Sequence, residues 1–173
     1  MNLPTWITIS RLIGIPVVFI LMADPTDSRR WLATGVFLIA AGTDWLDGYL
    51  ARRLNQVTEL GKFLDPLVDK LLVLAPLMVL VGLGQVPTWG VFLILARELT
   101  IAGWRVSPTM QQGNVPGANL WGKAKTVVQI GAIALLLSPL AAQVPLLAAV
   151  LFWLAVALTW VSGAIYLLPD KRG

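Results

Sequence analysis

The chain has 173 residues, of which 57% are hydrophobic and 13% charged, with a formal net charge of +4 and a mean hydropathy of +0.78. Soluble chains carry about twice that share of charge, roughly 25%, so the composition is that of a membrane protein. Cysteine and histidine are both absent, which excludes disulfides, thiolate chemistry, Ser-His-Asp triads, histidine metal sites and phosphohistidine intermediates, and leaves only oxygen to bind a metal.

A spanning helix needs about 20 mostly apolar residues. Six stretches qualify, at about 5–23, 31–51, 66–84, 88–106, 122–141 and 145–168. The breaks between them read "ADPTDSRR", "LNQVTELG", "GLGQVP", "SPTMQQGNVPGAN" and "SPLAAQVP", all rich in turn-forming residues. Trp6, Trp31, Trp89 and Trp121 fall near proposed helix ends, where tryptophan anchors a helix in the interface. No break is long enough to be a linker between domains, so residues 1–173 read as one transmembrane domain. No cleaved leader is expected.

Lysine and arginine set the orientation. With the N-terminus inside, the inner loops and tail carry Arg52, Arg53, Lys62, Arg105, Lys123, Lys125, Lys171 and Arg172, and the outer side carries Arg29 and Arg30. Arg11, Lys70 and Arg97 fall within spans. The expected fold is an all-α integral membrane protein with six transmembrane helices, both termini cytoplasmic, and a polar cavity at the cytoplasmic side. In that topology Arg11, Asp44, Asp47, Asp65, Asp69, Arg97, Lys123 and Lys125 all lie toward the cytoplasmic ends of their spans. An ionisable group inside a span costs about 2.5–3.5 kcal/mol on insertion scales and points to function by default.

The carboxylates come from the stretch "TDWLDGYLARRLNQVTELGKFLDPLVDK". Asp44 and Asp47 are three residues apart and share a helix face. Gly61, Asp65 and Asp69 step by four along the next helix, and a short polar turn joins the two, making them antiparallel neighbours. Two like charges at 4 Å repel by about 4 kcal/mol at an effective dielectric of 20. The cluster therefore needs positive charge. Two divalent cations would supply it, and so would protonation or pairing with Arg52, Lys62 and Lys70.

The spacing Asp44-x-x-Asp47-Gly48-x-x-Ala51-Arg52, eight residues, then Gly61-x-x-x-Asp65-x-x-x-Asp69 resembles the signature of the CDP-alcohol phosphotransferase family at every fixed position. The resemblance extends to six spans and internal termini. It implies two bound divalent cations, Mg²⁺ or Mn²⁺, with Asp44 and Asp65 bridging, Asp47 completing one site and Asp69 the other. It also implies Asp69 as the general base toward an acceptor alcohol, and Gly48, Arg52 and Thr58 as contacts of the CDP group. "NLPTWIT" resembles the family segment bordering the cytidine site, which makes Thr5 a further candidate. A homodimer is implied as well, and "SGAIY" at 162–166 offers small residues for close packing. No nucleic-acid partner is expected.

The signature defines a CDP-linked donor and leaves the acceptor open. Arg97, Arg105, Lys123 and Lys125 are candidate ligands of an acceptor phosphate, with Arg97 and Lys123 preferred, while Glu98 is expected to pair with a neighbouring cation. Arg11 is read as a contact to either substrate's phosphate. The order "NLPTWITISR…TDWLDGYLAR…ARE…GKAKT" resembles the phosphatidylglycerophosphate synthase branch of the family. The expected reaction is therefore transfer from CDP-diacylglycerol to glycerol 3-phosphate, at the cytoplasmic face of a bacterial-type membrane. Inositol phosphate, serine or phosphatidylglycerol would be alternative acceptors. A divalent-cation transporter is the reading from another class, and the apolar outer halves of the spans oppose it by offering no polar path.

Overall fold

The computed structural model describes residues 3–54, 59–106 and 120–167. Among these are six α-helices: α1 (Leu3–Met22), α2 (Asp27–Leu54), α3 (Glu59–Gly82), α4 (Thr88–Val106), α5 (Leu120–Leu137) and α6 (Pro145–Leu167), with a 3₁₀ turn at Pro139–Ala142. No strand occurs among the described residues.

Local chemistry explains the boundaries. Thr26 caps α2: its Oγ1 accepts from the Arg29 amide at 3.4 Å and its carbonyl from the Arg30 amide at 2.8 Å, while Asp27 places negative charge in the first turn, where the helix dipole favours it. α3 closes through Gly84, whose φ of +68° is left-handed and suits glycine. That turn lets the Gln85 amide reach the Leu80 carbonyl at 2.9 Å. Beyond it, the Pro87 carbonyl receives the Gly90 amide at 3.0 Å and opens α4. α5 stops at Ser138-Pro139, four residues short of the apolar run read from sequence, and the apolar residues beyond form the 3₁₀ turn.

α1 packs on α2 and α3, α5 on α6, and α4 on α6, and the two halves meet where α2 touches α5 and α3 touches α4 and α5. Val18, Met22, Phe37, Leu77, Leu80, Ile94, Ile133, Leu137 and Phe152 form the buried centre. Fully burying one such side chain stabilises by about 1.5–3 kcal/mol. α4 and α6 meet closely at Gly90, where a Cβ would lie 2.7 Å from the Phe152 ring.

Arg30 fixes one end of the bundle. Its Nε donates to the Leu137 carbonyl at 3.1 Å, and its Nη2 to Leu136 and Ser138 carbonyls at 2.9 and 3.0 Å and to Gln85 Oε1 at 3.3 Å. The start of α2, the turn after α3 and the end of α5 are thereby tied together. A cavity of about 300 Å³, lined by Arg30, Gln85, Pro145, Phe152 and Trp153 among others, belongs to this end. The opposite end gathers the starts of α1, α3 and α5 and the ends of α2, α4 and α6.

The outside of the bundle is apolar. Ile20, Ile39 and Leu146 are each at least 70% exposed, a surface that suits lipid rather than water. Two helical segments, Leu120–Leu137 and Pro145–Ile165, are long and apolar enough to cross a membrane, and Arg11–Met22 is a shorter apolar stretch. α2, α3 and α4 are interrupted by the charged residues that the sequence marks as functional.

Candidate functional site

The aspartates stand on the two helices that flank residues 55–58. Asp44 and Asp47 are one turn apart in the second half of α2, followed by Gly48 and Arg52, and Asp65 and Asp69 are one turn apart in the first half of α3. α1 lies against both helices. Its register on α2 is set at Gly14, where a Cβ would be 3.7 Å from Val36 Cγ1 and 3.9 Å from Ala40 Cβ.

Arg11 binds Asp69. Its Nη1 donates to Asp69 Oδ1 at 2.9 Å, and the arginine side chain is 1% exposed while the aspartate is 44% exposed. A buried cation thus orients a carboxylate that remains accessible. The sequence reading gave Arg11 to a substrate phosphate; the structure gives its Nη1 to the carboxylate marked as the base. For Thr5, Asp44, Asp47, Gly48, Arg52, Asp65 and Arg105, the structure describes the helix on which each stands. Thr58 lies outside the described residues.

The donors this end offers a metal are carboxylate oxygens from two adjacent helices, in a chain without histidine or cysteine. Such a set suits hard divalent cations and disfavours soft ones. Four carboxylates match the charge of two such ions, and Asp69 is partly exposed. By donor chemistry the set is compatible with the group that the signature implies, with Asp69 the member whose side chain is described.

A second polar cluster joins α4, α5 and α6. Arg97 is 12% exposed; its Nη1 donates to Glu98 Oε1 at 3.2 Å and its Nη2 to Ser162 Oγ at 3.0 Å. Glu98 also accepts from Lys125 Nζ, so one carboxylate serves two cations, as its position beside Arg97 suggested. Lys123 is exposed. Of the four cations proposed for an acceptor phosphate, the described contacts therefore bring Arg97 and Lys125 together through Glu98. Ser162 and Gly163 are the residues the sequence reading did not assign to this site. It took them as small residues for packing between copies, whereas here they face Arg97 of the same chain. A hydroxyl beside a glycine in an otherwise apolar helix was the available signal.

Over residues 1–161 the chain matches the CDP-alcohol phosphatidyltransferase family. The chain belongs to this family. Its relatives in the family include the CDP-diacylglycerol–glycerol-3-phosphate 3-phosphatidyltransferase of Bacillus subtilis (strain 168), 44% identical with 95% of this chain and 93% of the relative covered. The enzymes of the same name from Rickettsia bellii and Haemophilus influenzae are 34% and 36% identical, covering 99% and 98% of this chain and 96% and 94% of theirs. The CDP-alcohol phosphatidyltransferase signature of the sequence thus lies on α2 and α3 of this bundle, and near-complete coverage leaves no large portion of these relatives without a counterpart.

Proposed function

We propose that the protein transfers the phosphatidyl group of CDP-diacylglycerol to sn-glycerol 3-phosphate, giving phosphatidylglycerol phosphate and CMP. The observation that carries this is near-full-length similarity to relatives named for that reaction, in a chain whose aspartates stand on α2 and α3 with Asp69 held by Arg11. In this reading the six helices all span the bilayer, both termini are cytoplasmic, and the aspartate end opens to the cytoplasm. The donor enters sideways with its acyl chains still in lipid.

Chemically, an oxygen–phosphorus bond forms between the acceptor hydroxyl and the phosphatidyl phosphorus, and the bond from that phosphorus to the bridging oxygen of the diphosphate breaks. The electron pair leaves with CMP. Asp69 takes the hydroxyl proton, a role worth about 10²–10⁴-fold for a positioned base. Arg11 fixes the direction of that carboxylate. Asp44, Asp47, Asp65 and Asp69 would hold two Mg²⁺ or Mn²⁺ ions, which supply charge neutralisation for the diphosphate. Gly48 leaves room at the backbone for the CDP group, Arg52 and Thr58 are its polar contacts, and Thr5 borders the cytidine. Arg97, Arg105, Lys123 and Lys125 are the cations available to the phosphate of the acceptor. Two copies form the working unit.

The test is CMP release by purified protein with CDP-diacylglycerol and Mg²⁺ or Mn²⁺, offering glycerol 3-phosphate, serine and inositol phosphate in parallel. Release with glycerol 3-phosphate alone, abolished by chelation and by Asp69→Asn, is expected. Release only with another acceptor would overturn the acceptor assignment, and no release with any would overturn the reaction.

A further inference from the structure

Arg97 is held in an unusual way for a helix-borne arginine facing a neighbouring helix. α6 presents Gly163 to it, and a Cβ at that position would lie 3.0 Å from Arg97 Nε and 3.1 Å from its Cγ. A side chain there would press on the arginine, which would have to shift by a few tenths of an ångström to admit it. Next to the glycine, Ser162 is buried, with 2% exposure. Its hydroxyl donates to the Thr159 carbonyl at 3.0 Å, which commits its hydrogen and turns a lone pair toward Arg97 Nη2, 3.0 Å away. Glu98 receives Nη1 on the other side.

The contacts leave chemistry over. Arginine has five N–H donors. Nε is buried without a partner, pressed against Gly163, and Nη1 and Nη2 each engage one protein acceptor, leaving a second N–H on each. Guanidinium N–H groups left over in this way are donors that phosphate oxygens accept. The charges point the same way: Arg97 and Lys125 share the single carboxylate of Glu98, so the trio holds one net positive charge.

We propose that Ser162 and Gly163 of α6, together with Glu98, are positioning residues that aim the guanidinium of Arg97 at the phosphate of the acceptor. The specificity of the enzyme for a phosphorylated acceptor then depends on α6, a helix that carries no cation of its own in its described length. Glycine provides the space, serine fixes the rotation of the guanidinium plane, and Glu98 keeps Lys125 beside it. The proposal rests on the reading of Arg97 as a ligand of that phosphate.

The experiment measures kcat and KM for each substrate in mixed micelles for Arg97→Met, Ser162→Ala, Ser162→Thr and Gly163→Ala, with the unfolding temperature of each. Loss of a charge-assisted hydrogen bond corresponds to about 10–150-fold in affinity. Arg97→Met and Gly163→Ala are expected to raise KM for glycerol 3-phosphate by about that factor, and Ser162→Ala by about 3–10-fold, since it removes a neutral acceptor. Ser162→Thr, which keeps the hydroxyl, restores most of the loss, while KM for CDP-diacylglycerol stays within about twofold of the parent throughout. If Arg97→Met raises KM for the acceptor and the two α6 variants do not, the positioning role is refuted and the phosphate ligand stands. If Arg97→Met leaves that KM unchanged, the ligand reading itself fails. Equal losses for both substrates with a lowered unfolding temperature would show a purely structural contact and overturn the proposal.

Discussion

Arg30 and Arg97 sit at opposite ends of one bundle and are treated in opposite ways. The described partners of Arg30 are all neutral oxygens, three main-chain carbonyls and one amide, and they draw three elements together. Arg97 has one carboxylate, one hydroxyl and a buried Nε with nothing to bond. The Arg11–Asp69 pair belongs with Arg97, since it joins a buried cation to a carboxylate that is still 44% exposed. Neutral acceptors drawn from three elements make a structural clamp. An arginine that shares one carboxylate with a lysine and keeps a buried, unbonded Nε has charge left to offer. The difference lies in the kind of acceptors, not in burial, because both arginines are partly buried.

That contrast can be broken by experiment, starting where the effect is largest. Asp44→Asn, or removal of divalent cations from the parent, is expected to lower CMP release by about 10³-fold or more, with the protein still folded as judged by circular dichroism. Arg11→Met is expected to reduce turnover by about 10–100-fold through loss of the bond that orients Asp69, with Arg11→Lys recovering some of it. A pure clamp at Arg11 would instead show up as a lower unfolding temperature with unchanged turnover. At the other end, Arg30→Met should leave both KM values unchanged and destabilise the fold by about 1–3 kcal/mol, the cost of orphaned buried carbonyls, read by thermal unfolding in detergent. Gly84→Ala is the smallest change: forcing a side chain into the left-handed turn costs about 1 kcal/mol, with no effect on activity. A kinetic defect in either closed-end variant would show that the two ends are coupled and that the comparison is drawn too sharply.

Much of this was legible in the chain itself. Hydropathy located five of the helices to within about four residues, while α3 begins at Glu59, ahead of the run read from 66. It missed the ends where polar chemistry decides: Thr26 and Asp27 start α2 four residues ahead of the apolar run, and Ser138-Pro139 ends α5 inside one. The aspartate signature was readable because its members are close in sequence and their spacing is helical. The partners of the arginines were not. Arg30 bonds carbonyls, which no side-chain pattern reveals, and Arg97 meets Ser162 across 65 residues. Which helix lies beside α4 is a property of the packed bundle, so the role of Gly163 emerges only from the fold. Glu98 was readable as an ion-pair partner from its place beside Arg97, but not as the link to Lys125.

The Arg30 clamp has a consequence in time. Its carbonyl partners lie 106–108 residues downstream. At synthesis rates of about 5–20 residues per second, roughly 5–20 s separate the emergence of the arginine from that of the last turn of α5. Through that interval the arginine lacks its three carbonyl partners, while Gln85, its amide partner, is made about halfway along. The clamp at this end can therefore close only once the last turn of α5 has been made.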